Sequence, residues 1–161
     1  MSSARPHLVF VYGTLKRGFF NHHLLQKEGA VYKCDGITAE EYPLRCDKYF
    51  VPFLLNDAGS GKKVRGEVYS VTDAVLADLD ELEKVPIYYE RKVVKVEDAK
   101  QNENEAAFDC FVYFRTSSAP SLSSPHSNGR VFAEYAIEDH RAHYVPRHQR
   151  EELLVVDEFS K

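Results

Sequence analysis

The length, composition and charge of this chain are those of an ordinary folded domain. Its 161 residues are enough for one domain with a core of its own, and its contents of hydrophobic (43%) and charged (29%) residues are usual for a soluble globular protein. The 21 basic and 25 acidic residues leave a net charge of −4, which excludes a general attraction to nucleic acid or to an anionic membrane.

The first half of the chain is predicted to contain strands and one short helix. Leu8 to Tyr12 is apolar on both faces, which indicates a buried central strand, and the strand ends at Gly13-Thr14. Asn21 is a suitable N-cap for a short helix that runs through Gln26. Short apolar pieces follow between residues 30 and 58, and Val64 to Val71 alternates in the manner of a strand.

The clearest helix of the chain comes next, with Thr72 or Ser70 as its cap. Pro86 is predicted to end this helix, since proline cannot continue one. The residues that recur at helical spacing are Val75, Leu76, Leu79, Leu82 and Glu83.

The second half is predicted to add a hairpin and a further helix. Tyr88 to Val96 and Ala107 to Thr116 form the hairpin, and Glu134 to His143 the helix. Residues 117–129 are rich in Ser and Pro and predict a flexible loop insertion, while 151–161 form a C-terminal tail. We therefore expect residues 1–161 to form one α+β domain whose mixed or antiparallel sheet can close into a barrel.

Cysteine usage and hydropathy favour a reducing, cytoplasmic location. Three cysteines are an odd number and no Cys-x-x-Cys occurs, so neither a disulfide framework nor a zinc ribbon is expected. These cysteines are predicted to be core residues rather than nucleophiles. The longest uninterrupted apolar run, Leu8 to Tyr12, is far too short for a membrane helix.

The loop Tyr12-Gly13-Thr14-Leu15-Lys16-Arg17-Gly18 is the first candidate site. A glycine directly after a buried strand lets backbone N–H groups turn outward, and such loops bind anionic groups. The loop has P-loop glycine spacing, but Phe19 stands where a P-loop needs lysine, which disfavours a nucleotide-binding protein. The residues alone leave open whether the loop is a binding loop or only a tight turn.

Glu83 is the second candidate because it falls on the apolar stripe of the predicted helix. It lies four residues after Leu79 and seven after Leu76, in the last helical turn, whereas Asp78, Asp80 and Glu81 lie on polar faces. Partial burial and the negative end of the helix dipole would both raise its pKa, as suits an acid–base residue. The alternative is that the stripe has already ended and Glu83 faces solvent.

Histidines and aromatic residues carry weaker signals. His140-x-x-His143 with His148 has loose spacing, and no Cys or well-placed carboxylate joins it, so no metal site is expected. These side chains are predicted to lie at the surface or to form hydrogen bonds within the protein. Tyr88-Tyr89 and Phe111 to Phe114 are predicted to be mostly core, and Phe19-Phe20 either shapes an entrance or packs.

An ordered set of motifs resembles the γ-glutamylamine cyclotransferase family, which includes the plant avirulence-induced-gene-like proteins. The matching segments are Val9 to Gly18 with Asn21-His22, Tyr42-Pro43-Leu44, Val51 to Leu55, Val64 to Tyr69, Leu79 to Glu83 with Pro86 and Tyr89, and Tyr144 to Arg147. The resemblance covers most of the chain, and it is the order of the set that makes it specific.

The resemblance implies a small mixed β-barrel with flanking helices. It implies that Tyr12, Gly13, Thr14 and Leu15 line a γ-glutamyl pocket and that Glu83 is the catalytic general base and acid. The reaction would release 5-oxoproline and a free amine from a small γ-glutamyl substrate, with no cofactor and no metal, in what we expect to be a monomer.

Two alternatives remain at this point. In the first, the same fold and chemistry act on γ-glutamyl amino acids or glutathione. This alternative stays open because the sequence does not show which residues contact the leaving group. The chain can also be a non-enzymatic binding or stress-response module, although it retains both the glycine loop and Glu83.

Overall fold

The computed structural model describes residues 7–47, 49–100, 106–116, 131–146 and 149. The predicted insertion 117–129 and the tail 151–161 lie outside the described residues, as do Arg147 and His148.

Five strands close a small mixed barrel, as the sequence and the family resemblance predict. Their order is β1-β5-β2-β6-β7, and every pair is antiparallel except the closing pair of β1 and β7. A separate hairpin is formed by β3 and β4. The elements in chain order are β1 (His7–Val11), a 3₁₀ helix (His22–Leu25), β2 (Ala30–Tyr42), β3 (Leu44–Cys46), β4 (Pro52–Leu54), β5 (Lys62–Val71), α1 (Asp73–Leu82), β6 (Tyr89–Asp98), β7 (Phe108–Arg115) and α2 (Ile137–His143).

Strand β1 is buried on both faces, which confirms the prediction of a central strand. Phe10 belongs to the apolar cluster inside the barrel, whereas Val9 and Val11 belong to the cluster under α1. The fold thus joins its two apolar clusters through the strand that leads directly into the glycine loop.

Two glycines make room for Phe10 inside the barrel. Gly36 of β2 and Gly66 of β5 pair directly across the sheet. A Cβ atom on Gly66 would lie 2.8 Å from the Phe10 ring and 2.3 Å from the Val11 carbonyl oxygen, and one on Gly36 would lie 3.3 Å from the ring. No larger residue fits at Gly66 without displacing β1.

The prediction of short separate pieces between residues 30 and 58 is wrong for its first part. Residues Ala30–Tyr42 form one 13-residue strand with two irregularities in its register against β5. The polar residues in its middle concealed the strand, because one of its faces is largely open to solvent. Irregularities of this kind bend a strand and help a small barrel to close.

The two helices differ from the predictions at one end each. Thr72 caps α1 as predicted, since its hydroxyl accepts from the Val75 N–H, but the helix ends at Leu82 rather than at Pro86. Lys84 has a φ of +53°, so the chain leaves the helical path before proline is reached. Helix α2 begins at Ile137 and not at Glu134.

The three cysteines are free thiols, and Cys46 and Cys110 are buried as predicted, with Cys34 half-buried. The pKa of Cys110 is raised to about 12 and that of Cys34 to about 11, mainly because the thiols are removed from water. Neither of these thiols is activated as a nucleophile. In the part of the chain that the structure describes, no helix is long and apolar enough to cross a membrane.

Candidate active site

The loop after β1 is held at its beginning by Tyr12 and Gly13. The Tyr12 side chain is buried, and its hydroxyl donates to the Tyr113 carbonyl oxygen at 2.7 Å. Burial raises the pKa of Tyr12 well above its usual value, and the nearby Tyr89 and Glu83 raise it further. Gly13 lies directly against Pro52, because a Cβ atom built on Gly13 would be only 2.6 Å from the proline Cγ.

Backbone N–H groups of this loop are available to a ligand. Among the described residues, no acceptor is bonded to the N–H of Gly13, Thr14 or Leu15. The loop is nevertheless closed by internal bonds, since the Lys16 N–H donates to the Gly13 carbonyl oxygen at 3.1 Å. Consecutive unbonded N–H groups in a rigid turn are what backbone recognition of an anion requires.

Asn21 supports the loop instead of capping the helix that follows. It occupies the N-cap position of the 3₁₀ helix, but its side chain makes no capping bond, which corrects the prediction. Its Nδ2 donates to Thr14 Oγ1 at 2.8 Å and its backbone N–H donates to the Thr14 carbonyl oxygen, also at 2.8 Å. Because Oγ1 accepts from Asn21, the hydroxyl hydrogen of Thr14 can donate to a different acceptor.

The charged residues of the loop motif bind the protein itself. The Arg17 N–H and its Nε donate to the two carboxylate oxygens of Glu67 at 3.0 and 3.3 Å. Lys16 is buried, and its Nζ donates to the Tyr135 carbonyl oxygen at 2.7 Å. Burial lowers the pKa of Lys16. Both side chains therefore hold the loop on the barrel.

Glu83 is half-buried and lines the same cleft as the glycine loop. It is the C-cap residue of α1, so the end of the helix delivers its side chain to the cleft. This position agrees with the first interpretation of the helical stripe, and the alternative of a residue turned wholly to solvent is not observed. Tyr12, Gly13, Thr14 and Leu15 line this cavity as well.

The cleft has an inner and an outer cavity. The inner cavity of about 50 Å³ is the one lined by the glycine loop, and the outer one measures about 220 Å³. The residues that line both are Thr14, Val51, Glu83 and Tyr89. The two cavities therefore lie side by side along a shared wall, and Glu83 belongs to that wall.

Sequence reasoning missed several residues that line the inner cavity. Val51 and Pro52 come from the segment before and within β4, and Tyr89 and Tyr113 come from β6 and β7. The two tyrosines had been predicted to be mostly core. Tyr113 is buried, yet it contributes to the cavity wall.

Asp80, which sequence reasoning also missed, binds the hydroxyl of Tyr113. The Tyr113 hydroxyl donates to Asp80 Oδ1 at 2.7 Å, and Arg91 forms an ion pair with the same carboxylate. Burial, followed by the bond to Asp80, raises the pKa of Tyr113. Asp80 had been assigned to a polar helix face, but it lies three residues before Glu83, and this i,i+3 spacing is the signal that could have found it.

The ring of His140 forms hydrogen bonds within the protein, as predicted. The Phe20 N–H donates to His140 Nε2 at 3.2 Å, and the Tyr135 hydroxyl lies against the other ring nitrogen. Burial, with a smaller effect from Lys16 and Arg141, lowers the pKa of His140 to about 4. Within the described ranges, no three His, Cys, Asp or Glu side chains converge on a possible metal position.

The structure separates the roles of Phe19 and Phe20. Phe19 packs inward against the rings of Tyr135 and His140, with centroid distances of 5.5 and 4.9 Å. Phe20 lines the outer cavity of the cleft. The sequence alone could not choose between an entrance and a packing role for this pair.

Comparisons with known proteins agree with this architecture. Residues 9–132 match the family described as gamma-glutamyl cyclotransferase, AIG2-like. The chain is 39% identical to a putative gamma-glutamylcyclotransferase of Arabidopsis thaliana, over 96% of this chain and 89% of the relative. It is 38% identical to the human gamma-glutamylaminecyclotransferase, over 89% of this chain and 99% of the relative. The crystal structure of an aig2-like protein from Mus musculus superposes with a TM-score of 0.75 and 32% identity, covering 93% of this chain and all of that one.

These observations define a class of fold, a small mixed β-barrel with a cavity lined by the glycine loop and by Glu83. Within that class, the chain belongs to the gamma-glutamyl cyclotransferase, AIG2-like family.

Proposed function

We propose that this protein is a γ-glutamylamine cyclotransferase, which converts a γ-glutamyl amide to 5-oxoproline and a free amine. One observation carries the proposal: Glu83 lines the same cavity as Gly13, Thr14 and Leu15, whose N–H groups have no bonded acceptor among the described residues. One group can move protons and the others can hold negative charge, and this reaction requires both.

The reaction is an intramolecular ring closure. The α-nitrogen of the substrate forms a bond to its own γ-carbonyl carbon, and the bond from that carbon to the leaving nitrogen breaks. Since both reactants are in one molecule, a pocket that holds the folded conformer recovers much of an effective molarity of roughly 10⁵–10⁸ M. The residues of the cleft must therefore bind a compact conformation of the glutamyl group.

Glu83 moves the protons in this proposal. The α-ammonium loses one proton to become a nucleophile and a second as the ring nitrogen becomes an amide. The leaving nitrogen takes one proton to depart as a neutral amine and a second when that amine ionises in water. The Glu83 carboxylate accepts from the α-nitrogen and then donates to the leaving nitrogen, so one residue acts as base and then as acid.

The glycine loop binds the glutamyl group. Its N–H groups can donate either to the α-carboxylate of the substrate or to the oxyanion that forms at the γ-carbonyl. Tyr12 and Tyr113 form the wall, and Asn21 holds Thr14 so that its hydroxyl can donate to the substrate. The chemistry that these residues carry out calls for neither a metal nor an organic cofactor.

The proposal is tested by 5-oxoproline release from γ-glutamyl-ε-lysine, other γ-glutamyl amines, γ-glutamyl-alanine and glutathione. Glu83→Gln keeps the shape of the side chain and removes the base, and we expect kcat/KM to fall by about 10²–10⁴-fold. Glu81→Gln is the matched control, since Glu81 is exposed at the same end of the same helix. Unchanged turnover in a folded Glu83→Gln protein would remove Glu83 from the mechanism.

The panel also separates the proposal from its alternatives. Release from γ-glutamyl-alanine or glutathione in preference to the amines would assign the same chemistry to another γ-glutamyl substrate. No release from any compound by folded protein would favour a binding module instead. Binding of 5-oxoproline, measured by calorimetry, would then show whether the cleft still holds the glutamyl group.

We further propose that the protein works as a monomer in the cytoplasm. Its three free thiols suit a reducing compartment, and residues of one chain line both cavities of the cleft. Light scattering of the purified protein and fractionation of cells that express it test the two statements separately.

A further inference from the structure

The outer cavity of the cleft carries an inference about the leaving amine, and it rests on the function proposed above. Glu83 lines both cavities, so the amide bond that it helps to break lies at their junction. Gly13 and Leu15 line the inner cavity and not the outer one, while Thr14 lines both, so the proposed function places the glutamyl group in the inner cavity. The leaving amine then extends into the outer cavity, which shares Glu83 with the inner one.

The wall of the outer cavity is mainly aromatic and aliphatic. Phe20, Tyr88 and Tyr144 line the outer cavity but not the inner one, and Tyr89 lines both. The one amide side chain on the wall, Asn21, already donates to Thr14. The rings on this wall offer apolar surface to the hydrocarbon part of a ligand.

Phe20 is unusually placed for a phenylalanine, since 47% of it is exposed. Its ring packs against Tyr144 with a centroid distance of 5.6 Å and an interplanar angle of 43°. The bond from its N–H to His140 Nε2 fixes the backbone that carries the ring. An exposed apolar ring on the wall of a cavity offers its surface to a ligand.

We propose that Phe20 and Tyr144 are specificity-determining residues that bind the hydrocarbon body of the leaving amine. The enzyme therefore prefers γ-glutamyl amides of amines with an extended alkyl or aromatic body to those of small amines. Contact with the two rings lowers the free energy of the bound amide in proportion to the apolar surface that leaves water.

A homologous series of γ-glutamyl amides tests this proposal: the methyl-, propyl-, pentyl- and benzylamide, assayed by 5-oxoproline release. We expect kcat/KM of the wild type to rise by up to about fourfold per added methylene until the outer cavity is filled. In Phe20→Ala and Tyr144→Ala, the ratio of the pentylamide to the methylamide should fall severalfold. Phe20→Leu, which keeps an apolar side chain, should restore part of the ratio.

Ile87→Ala is the matched control. Ile87 is also an exposed apolar residue, with 57% of its surface accessible, and it lies close to Tyr88 in sequence but does not line the cavity. Its substitution should leave the pentyl-to-methyl ratio unchanged, which separates a subsite from a general effect of surface hydrophobicity.

The outcomes distinguish this inference from the function on which it rests. Turnover of all four amides at similar kcat/KM overturns the aromatic subsite and leaves the cyclotransferase activity standing. A wild-type-like ratio in both alanine variants overturns the assignment to Phe20 and Tyr144. If none of the amides releases 5-oxoproline, the proposed function and this inference are both overturned.

Discussion

The Tyr135 hydroxyl lies 2.9 Å from Nδ1 of His140 and donates to the Phe50 carbonyl oxygen at 2.7 Å. The other nitrogen of His140 accepts from the Phe20 N–H. These bonds assign the neutral tautomer with its hydrogen on Nδ1. The Tyr135 hydroxyl uses its one hydrogen on Phe50 and must accept from Nδ1, while Nε2 accepts from Phe20. One phenol–imidazole pair thus connects Phe20, two residues after the glycine loop, to Phe50, the residue that precedes Val51 and Pro52.

Tyr135→Phe is expected to lower the free energy of unfolding by about 1–3 kcal/mol, because a buried carbonyl oxygen and a buried imidazole both lose a partner. Urea unfolding measures the change. Tyr42→Phe is the control, since the Tyr42 side chain is also buried but its hydroxyl makes only a 3.5 Å contact with Glu40. A loss of similar size in both variants would mean that the hydroxyl of Tyr135 has no special part in the fold.

His140 should make stability fall with acidification. Its pKa is lowered to about 4 in the folded protein, whereas an unfolded histidine titrates near ~6.5, so the unfolded chain binds the extra proton between these values. The free energy of unfolding should decrease as the pH falls from about 6.5 to about 4, with a slope approaching about 1.4 kcal/mol per pH unit from this residue.

His140→Gln isolates this contribution, since glutamine can still accept from the Phe20 N–H but does not titrate. Urea unfolding at several pH values should give a shallower dependence for the variant than for the wild type over that window. Parallel curves for the two proteins would show that His140 contributes nothing to the pH dependence.

Gly13→Ala is expected to lower kcat/KM by at least about tenfold, because the added Cβ meets Pro52 at 2.6 Å and moves one wall of the inner cavity. Gly59→Ala provides the contrast: nothing lies within 4 Å of its Cβ, but its φ of +92° strains any other residue. It should cost about 1 kcal/mol of stability and leave 5-oxoproline release intact. Full activity in Gly13→Ala would show that Pro52 can move without disturbing the site.

Asp80→Asn should destabilise the protein by about 1–3 kcal/mol and lower activity, because the half-buried carboxylate binds both Tyr113 and Arg91. Asp78→Asn, in the same helix, removes only an exposed ion pair with Lys27 and should change stability by less than about 1 kcal/mol. Thermal unfolding and 5-oxoproline release, measured on both variants, compare the two carboxylates. Equal effects would place Asp80 among ordinary surface charges.

What the sequence predicted correctly was encoded locally. The position of Glu83 follows from helical periodicity, and the loop follows from a glycine after an apolar strand. Tyr113 and Pro52 could not be found in this way. Strand β7 is brought next to β1 by the parallel pairing that closes the barrel, and β4 belongs to a separate hairpin with β3. Pairings between distant segments depend on the whole sheet, and no local pattern specifies them.

Phe10 explains which parts of this cleft can change easily. It is 1% exposed, fills the space left by Gly36 and Gly66, and also lines the inner cavity. The floor of the inner cavity is therefore a piece of the barrel core, and reshaping it would cost folding stability. Phe20 is 47% exposed, so substitutions there cost less stability. If the proposed function holds, this fold can accept new leaving groups by changes around Phe20, while the packing that closes the barrel keeps the glutamyl side of the cavity unchanged.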